Sequence, residues 1–125
     1  RDRNTRLWDK PVYDEESRQK QLDRAIEATK KLQAKGAEVI FVQMPYEGHY
    51  ATSEIDIAPR ELTWDVLLER TGALGLHFQD HEEMQGYYLP EWSHMTGEEA
   101  DRFTEAFYGL VQRELAARNA AGGNP

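Results

Sequence analysis

The sequence predicts an α/β protein built in layers. Three observations carry this. Apolar residues recur at 3- and 4-residue steps near the start and again near the end, as on the covered face of a helix. Between them, VIFV at 39–42 is continuously apolar, β-branched or aromatic, the pattern of a strand covered on both faces. Gly36, Pro45, Pro59 and Gly72 then divide the chain into the order helix, strand, helix, strand, helix.

Residues 1–14 read as an irregular N-terminal segment, in which Pro11 blocks an early helix. Asp14 offers a helix cap ahead of Glu15 and Glu16, acids that suit a helix N-terminus. Leu22, Ala25, Ile26, Thr29 and Leu32 form one stripe on a helix of roughly 20 residues. Lys30, Lys31 and Lys35 close it, and Gly36 fits the left-handed position that stops it. VIFV follows at once, and Pro45 ends that strand.

Residues 45–58 form a long loop with aromatic and polar side chains. Pro59 suits the first position of a short helix carrying Leu62, Val66 and Leu67, with Trp64 and Leu68 nearby, closed around Gly72. GLHFQD at 75–80 reads as the second strand, and a second loop runs from His81 to Met95. Thr96-Gly-Glu-Glu99 matches a capping box, in which the Thr96 hydroxyl and the Glu99 carboxylate each satisfy a backbone N–H. The last helix places Ala100, Phe103, Phe107, Leu110, Val111 and Leu115 on one face, and the Ala- and Gly-rich end reads as frayed, with 119–125 a disordered tail. The α/β part is thus 15–118.

Two parallel strands alone make a poor sheet. The first 13 residues could add a strand, another copy could pair with this one, or further strands could lie in a missing N-terminal segment. The last is the favoured expectation, so the chain reads as part of a domain.

Composition narrows the partners. Acidic residues outnumber basic ones 23 to 15, for a net charge of -8, whereas a nucleic-acid backbone or an anionic lipid surface is held by clustered Lys and Arg. No apolar run approaches a membrane span, and the opening RDRNTRLWDK has no signal-peptide features. With no cysteine, disulfides, thiolate metal sites and cysteine nucleophiles are excluded, although the compartment is left open.

Loops that follow the strands of an open α/β sheet lie where ligands usually bind. Both long loops qualify. In the second, LPEWSHMT at 89–96, His94 stands two residues before the capping Thr96, and Glu91 stands three residues before His94. A carboxylate on the Nδ1–H of an imidazole fixes its tautomer and leaves Nε2 to take a proton. A histidine here can equally be a surface or capping residue. Trp92 is either packing or the lining of an acyl or sugar pocket. Tyr46, His49 and Tyr50 on the first loop either stack on sugar rings or cover the sheet edge.

The Glu91-x-x-His94 element just before a final helix resembles the C-terminal block of SGNH/GDSL-type hydrolases. GAEVIFVQMPYEGHY upstream and FQDHEEMQGYYLPEWSHMT downstream are similar to SGNH-like proteins linked to bacterial surface polysaccharides, some of which move or remove O-acetyl groups. The resemblance covers 15–118, the second half of such a domain. It implies a flavodoxin-like, three-layer parallel sheet, with His94 as catalytic base and Glu91 as acidic member, where the family more commonly has Asp. It also implies a carbohydrate or acyl-ester substrate, no cofactor, and a periplasmic or extracellular setting.

The family's Gly-Asp-Ser nucleophile block and its later oxyanion-hole Gly and Asn are absent from the chain, and no GxSxG elbow replaces them. Ser17 lies in a charged helix start and Ser93 adjoins His94, so Ser53 is the serine worth testing. A base and its orienter with nothing to activate leave little activity. The expected function is therefore the C-terminal portion of an esterase or O-acyltransferase acting on carbohydrate esters, inactive alone. The competing expectation is a non-catalytic α/β module that binds a partner or glycan in polysaccharide assembly.

A metal centre is disfavoured. His77 and His81 would share a helix face, but FQD reads as strand end, and no HExxH motif is present among His49, His77, His81 and His94.

Overall fold

The computed structural model describes residues 14–47, 59–90 and 94–122. The protein is mixed α/β, mostly helical, with a small parallel sheet. The order is α1 (Glu15–Ala34), β1 (Ile40–Gln43), a 3-10 turn (Arg60–Leu62), α2 (Trp64–Thr71), β2 (Leu74–His77), two 3-10 turns (Phe78–Asp80 and Glu82–Met84) and α3 (Gly97–Gly122). Contacts group it into two compact units, Arg1–Glu38 with Ser53–Gly72 and Val39–Thr52 with Ala73–Pro125.

In the first unit, α1 begins where the cap was expected. Asp14 is extended (ψ 179°), and its carboxylate accepts Ser17 N–H at 2.7 Å. Leu22, Ile26 and Thr29 are buried. Thr29 is tolerated there because its hydroxyl donates to Ala25 C=O at 2.7 Å, so no polar atom is left unsatisfied by burial. The helix ends in a Schellman motif: Gly36 N–H donates to Gln33 C=O at 2.9 Å, and Ala37 N–H to Leu32 C=O at 3.1 Å, with Gly36 at φ +90°.

Leu32, assigned to the covered stripe, is instead 51% exposed. The contact with α2 at this end of α1 falls to the next residue, Gln33, on the adjacent face. Gln33 Nε2 reaches Thr71 C=O at 3.0 Å and satisfies a carbonyl at the end of α2.

Pro59 is not the first residue of that α-helix. It precedes the 3-10 turn in extended conformation (ψ 142°), and α2 starts only at Trp64. Thr63 breaks the two apart: its hydroxyl donates back to Pro59 C=O at 2.9 Å, and its backbone leaves the helical region. Leu62 is accordingly exposed rather than part of a helix stripe.

Gly72 closes α2 in the left-handed region, φ +68°, with its N–H on Leu68 C=O at 2.8 Å. A Cβ there would meet no atom, so the cost of substitution is conformational alone. Gly72→Ala is expected to destabilise by about 1–2 kcal/mol. Urea unfolding checks it, and an unchanged midpoint would contradict the left-handed turn.

In the second unit β1 and β2 pair in parallel, Ile40 with Leu74, Phe41 with Gly75, Val42 with Leu76 and Gln43 with His77. VIFV was expected to be covered on both faces. Instead Ile40 and Phe41 are half-buried and Val42 is 38% exposed, because among the described residues β1 has a partner on one edge only. The second strand stops at His77 rather than at Asp80: Gln79 N–H donates to His77 Nδ1 at 3.2 Å, and the chain turns into 3-10 geometry.

Leu76, Met84, Phe103 and Leu110 form the core, with Ile40, Leu74, Phe78, Tyr87, Met95, Phe107 and Val111 packed against it. Phe103 and Phe107 stack at 5.3 Å, one helical turn apart. Ala100 and Leu115 are half-buried on the same face. The helix runs on to Gly122, through residues read as a tail, because the Ala-rich end has high intrinsic helix propensity and needs no apolar face to continue. Among the described residues no helix is long and apolar enough to cross a membrane.

Candidate functional site

The parallel register aligns Gln43 with His77, so the chain leaves both strands at the same end of the sheet. Both loops singled out in the sequence therefore start from one sheet edge, the edge where open α/β sheets place ligands. At that edge the Tyr46 ring meets Phe78 edge-on, centroids 4.8 Å apart at 67°, and Phe78 stacks on His77 at 5.2 Å. Tyr46 is half-buried and covers the end of β2. Sequence reasoning treated His77 only as a metal candidate. It is a buried ring whose Nδ1 accepts a backbone N–H, which assigns the proton to Nε2.

The loop after β2 is built as firmly as a regular element. Met84 is fully buried and Leu89 is buried. Gln85 Nε2 donates to Phe78 C=O at 2.8 Å, and the Tyr87 hydroxyl donates to Glu83 C=O at 3.1 Å. The Glu83 carboxylate pairs with Arg113 of α3.

The expected capping box is half present. Glu99 N–H donates to Thr96 Oγ1 at 3.3 Å, and Ala100 N–H to Thr96 C=O at 2.8 Å. The Glu99 carboxylate does not return to Thr96. Its Oε2 accepts Tyr88 N–H at 3.0 Å, and Arg102 Nη2 donates to both carboxylate oxygens at 2.8 and 2.9 Å. A contact spanning 11 residues is invisible to a local capping rule.

His94 is exposed, and its successor Met95 is packed against the core. His94 thus stands on a backbone held on its C-terminal side by a partly buried neighbour and by the start of α3. Glu91 and Trp92, like His49, Tyr50 and Ser53, lie outside the described residues. Among the described residues no group of three or more His, Asp or Glu side chains is placed to hold a metal ion.

Two carboxylates, Glu83 in the loop and Glu99 on α3, titrate low. The Arg113 hydrogen bond holds Glu83 below the usual carboxylate range, and Arg102, then Tyr88 N–H, do the same for Glu99. A carboxylate with a depressed folded-state pKa contributes stability that is present above its unfolded pKa and lost as pH falls through the folded one. The tethers of residues 82–90 to α3 are therefore expected to hold at neutral pH and to release on acidification. The Tyr88 amide nitrogen shift, followed by NMR, checks it: its midpoint should lie below that of an ordinary glutamate, and a higher midpoint would contradict the pairing.

No family model matches the chain, and no curated protein and no solved structure shows significant similarity to it.

Proposed function

We propose that this chain is the C-terminal portion of an SGNH-like esterase or O-acyltransferase acting on carbohydrate esters. In this reading β1 and β2 belong to a wider, flavodoxin-like parallel sheet with helices on both faces. The half-exposed Ile40, Phe41 and Val42 suit a strand meant for further cover and pairing. The carrying observation is the level end of the two strands, from which the second loop leads to an exposed His94 beside Met95, which packs against the core.

His94 takes the proton of a serine hydroxyl as that oxygen attacks the ester carbonyl, then returns it to the leaving alcohol. Glu91 orients the ring and supports the imidazolium. The serine and the donors to the oxyanion come from outside residues 1–125, whose sequence has no Gly-Asp-Ser block. Tyr46, His49, Tyr50 and Trp92 would flank the sugar or acyl group. No cofactor enters this chemistry.

The direct test is p-nitrophenyl acetate hydrolysis by the complete gene product beside its His94→Ala variant. Loss of rate supports the assignment, and equal rates remove His94 from the mechanism. The 125-residue chain on its own is expected to leave the ester at its background rate. Turnover by the isolated chain, lost in Ser53→Ala, would move the nucleophile onto the first loop.

A further inference from the structure

The diversion of Glu99 from its own helix end has a consequence for His94. Glu99 holds Tyr88 N–H, and Arg102 grips Glu99 while its guanidinium lies 4.9 Å from the centroid of the Tyr87 ring. Tyr87 in turn meets Phe103 edge-on at 5.2 Å. Three side chains from the first turns of α3 thus fix two successive residues ahead of His94. Behind His94, the partly buried Met95 packs against the core and Thr96 caps the same helix.

We propose that Glu99 and Arg102 form a clasp whose task is to position His94, which makes them positioning residues for the proposed acyl chemistry; the inference rests on the reading of His94 as the base. Stability is a poor explanation for the pair. Arg102 is 62% exposed, and exposed ion pairs add little to folding. Geometry is a better one. Arg102 Nη2 alone bridges both Glu99 oxygens, which orients the carboxylate, and Glu99, only 21% exposed, passes that orientation to the Tyr88 backbone. A base that must meet a hydroxyl within hydrogen-bond reach needs such a fixed approach.

The test uses Glu99→Ala, Glu99→Gln and Arg102→Lys in the complete gene product. Glu99→Ala should lower kcat on p-nitrophenyl acetate by roughly 10- to 100-fold with KM changed less than about twofold. The Tyr88 amide should exchange faster, and the His94 ring should gain motion in NMR relaxation. Glu99→Gln keeps an acceptor for Tyr88 N–H and should fall between. Arg102→Lys keeps a single donor nitrogen for Glu99 but loses the flat face on the Tyr87 ring, and should also fall between the parent and Glu99→Ala. Should Glu99→Ala not fold, the other two variants carry the comparison.

Unchanged kcat in a variant whose Tyr88 amide exchanges faster overturns the proposal, as does a kcat loss matched by loss of folded protein. If His94→Ala leaves the rate untouched, the reading of the base fails separately. The clasp is then judged on the His94 ring alone: unaltered ring order in Glu99→Ala refutes it, and increased motion supports it.

Discussion

Leu110→Ala is expected to lower the unfolding free energy by about 3 kcal/mol. Leu110 is fully buried among Leu76, Met84 and Phe103, and it sits midway along α3. Truncation leaves a cavity there. A helix backbone does not collapse to fill it, and Met84, the most adaptable neighbour, is itself fully buried at the end of the 3-10 turn Glu82–Met84. Domains of this size hold only about 5–15 kcal/mol in total, so the midpoint of thermal unfolding should fall on the order of 10 °C.

Tyr108 supplies the control. It lies two residues away on the same helix, but it is exposed. Tyr108→Ala should therefore stay within about 0.5 kcal/mol of the parent. Urea unfolding of the two variants side by side gives the answer, and equal losses would contradict the packing of α3. Because α3 carries Glu99, Arg102 and Arg113, Leu110→Ala should also loosen the loop that leads to His94.

Features set by a few neighbouring residues were legible before any coordinates. Asp14 caps α1 because a short acid before two glutamates has an N–H three residues on to bind. Gly36 and Gly72 stop helices because each must enter the left-handed region. Phe103 and Leu110 are core because they repeat at the helical period. VIFV is a strand, displaced by one residue from its apolar run.

Features set by distant partners were not legible. Leu32 obeys the stripe, but at that end of α1 its neighbour Gln33 makes the contact with α2. Glu99 obeys the capping box in sequence, yet Tyr88 N–H and Arg102 outcompete its own helix end for the carboxylate. His77 showed nothing of its burial, since strand ends and 3-10 turns carry no periodic signal. At the candidate site, the position of His94 just ahead of α3 followed from Thr96, whereas the tether that steadies its loop lay in pairings across 11 residues.

On the proposed assignment of His94 as the base of an acyl transfer, His94→Ala should reduce ester hydrolysis by the complete gene product roughly 10³- to 10⁵-fold in kcat. A base removed from a nucleophile leaves only the oxyanion donors and substrate binding, so a residual rate above water should remain. Glu91→Gln keeps the size of the side chain but exchanges the charge for an amide. In the proposed pairing it would favour the wrong tautomer of the imidazole, and its effect should be smaller, roughly 10²- to 10⁴-fold.

The informative measurement is the double variant. Residues that act on one proton act as a unit, so Glu91→Gln added to His94→Ala should lower the rate no further. Two independent losses that multiply would show Glu91 working elsewhere, on substrate or on folding. A rate in Glu91→Gln equal to the parent would leave His94 a base with a different orienter, and would direct the search to another acid facing its Nδ1.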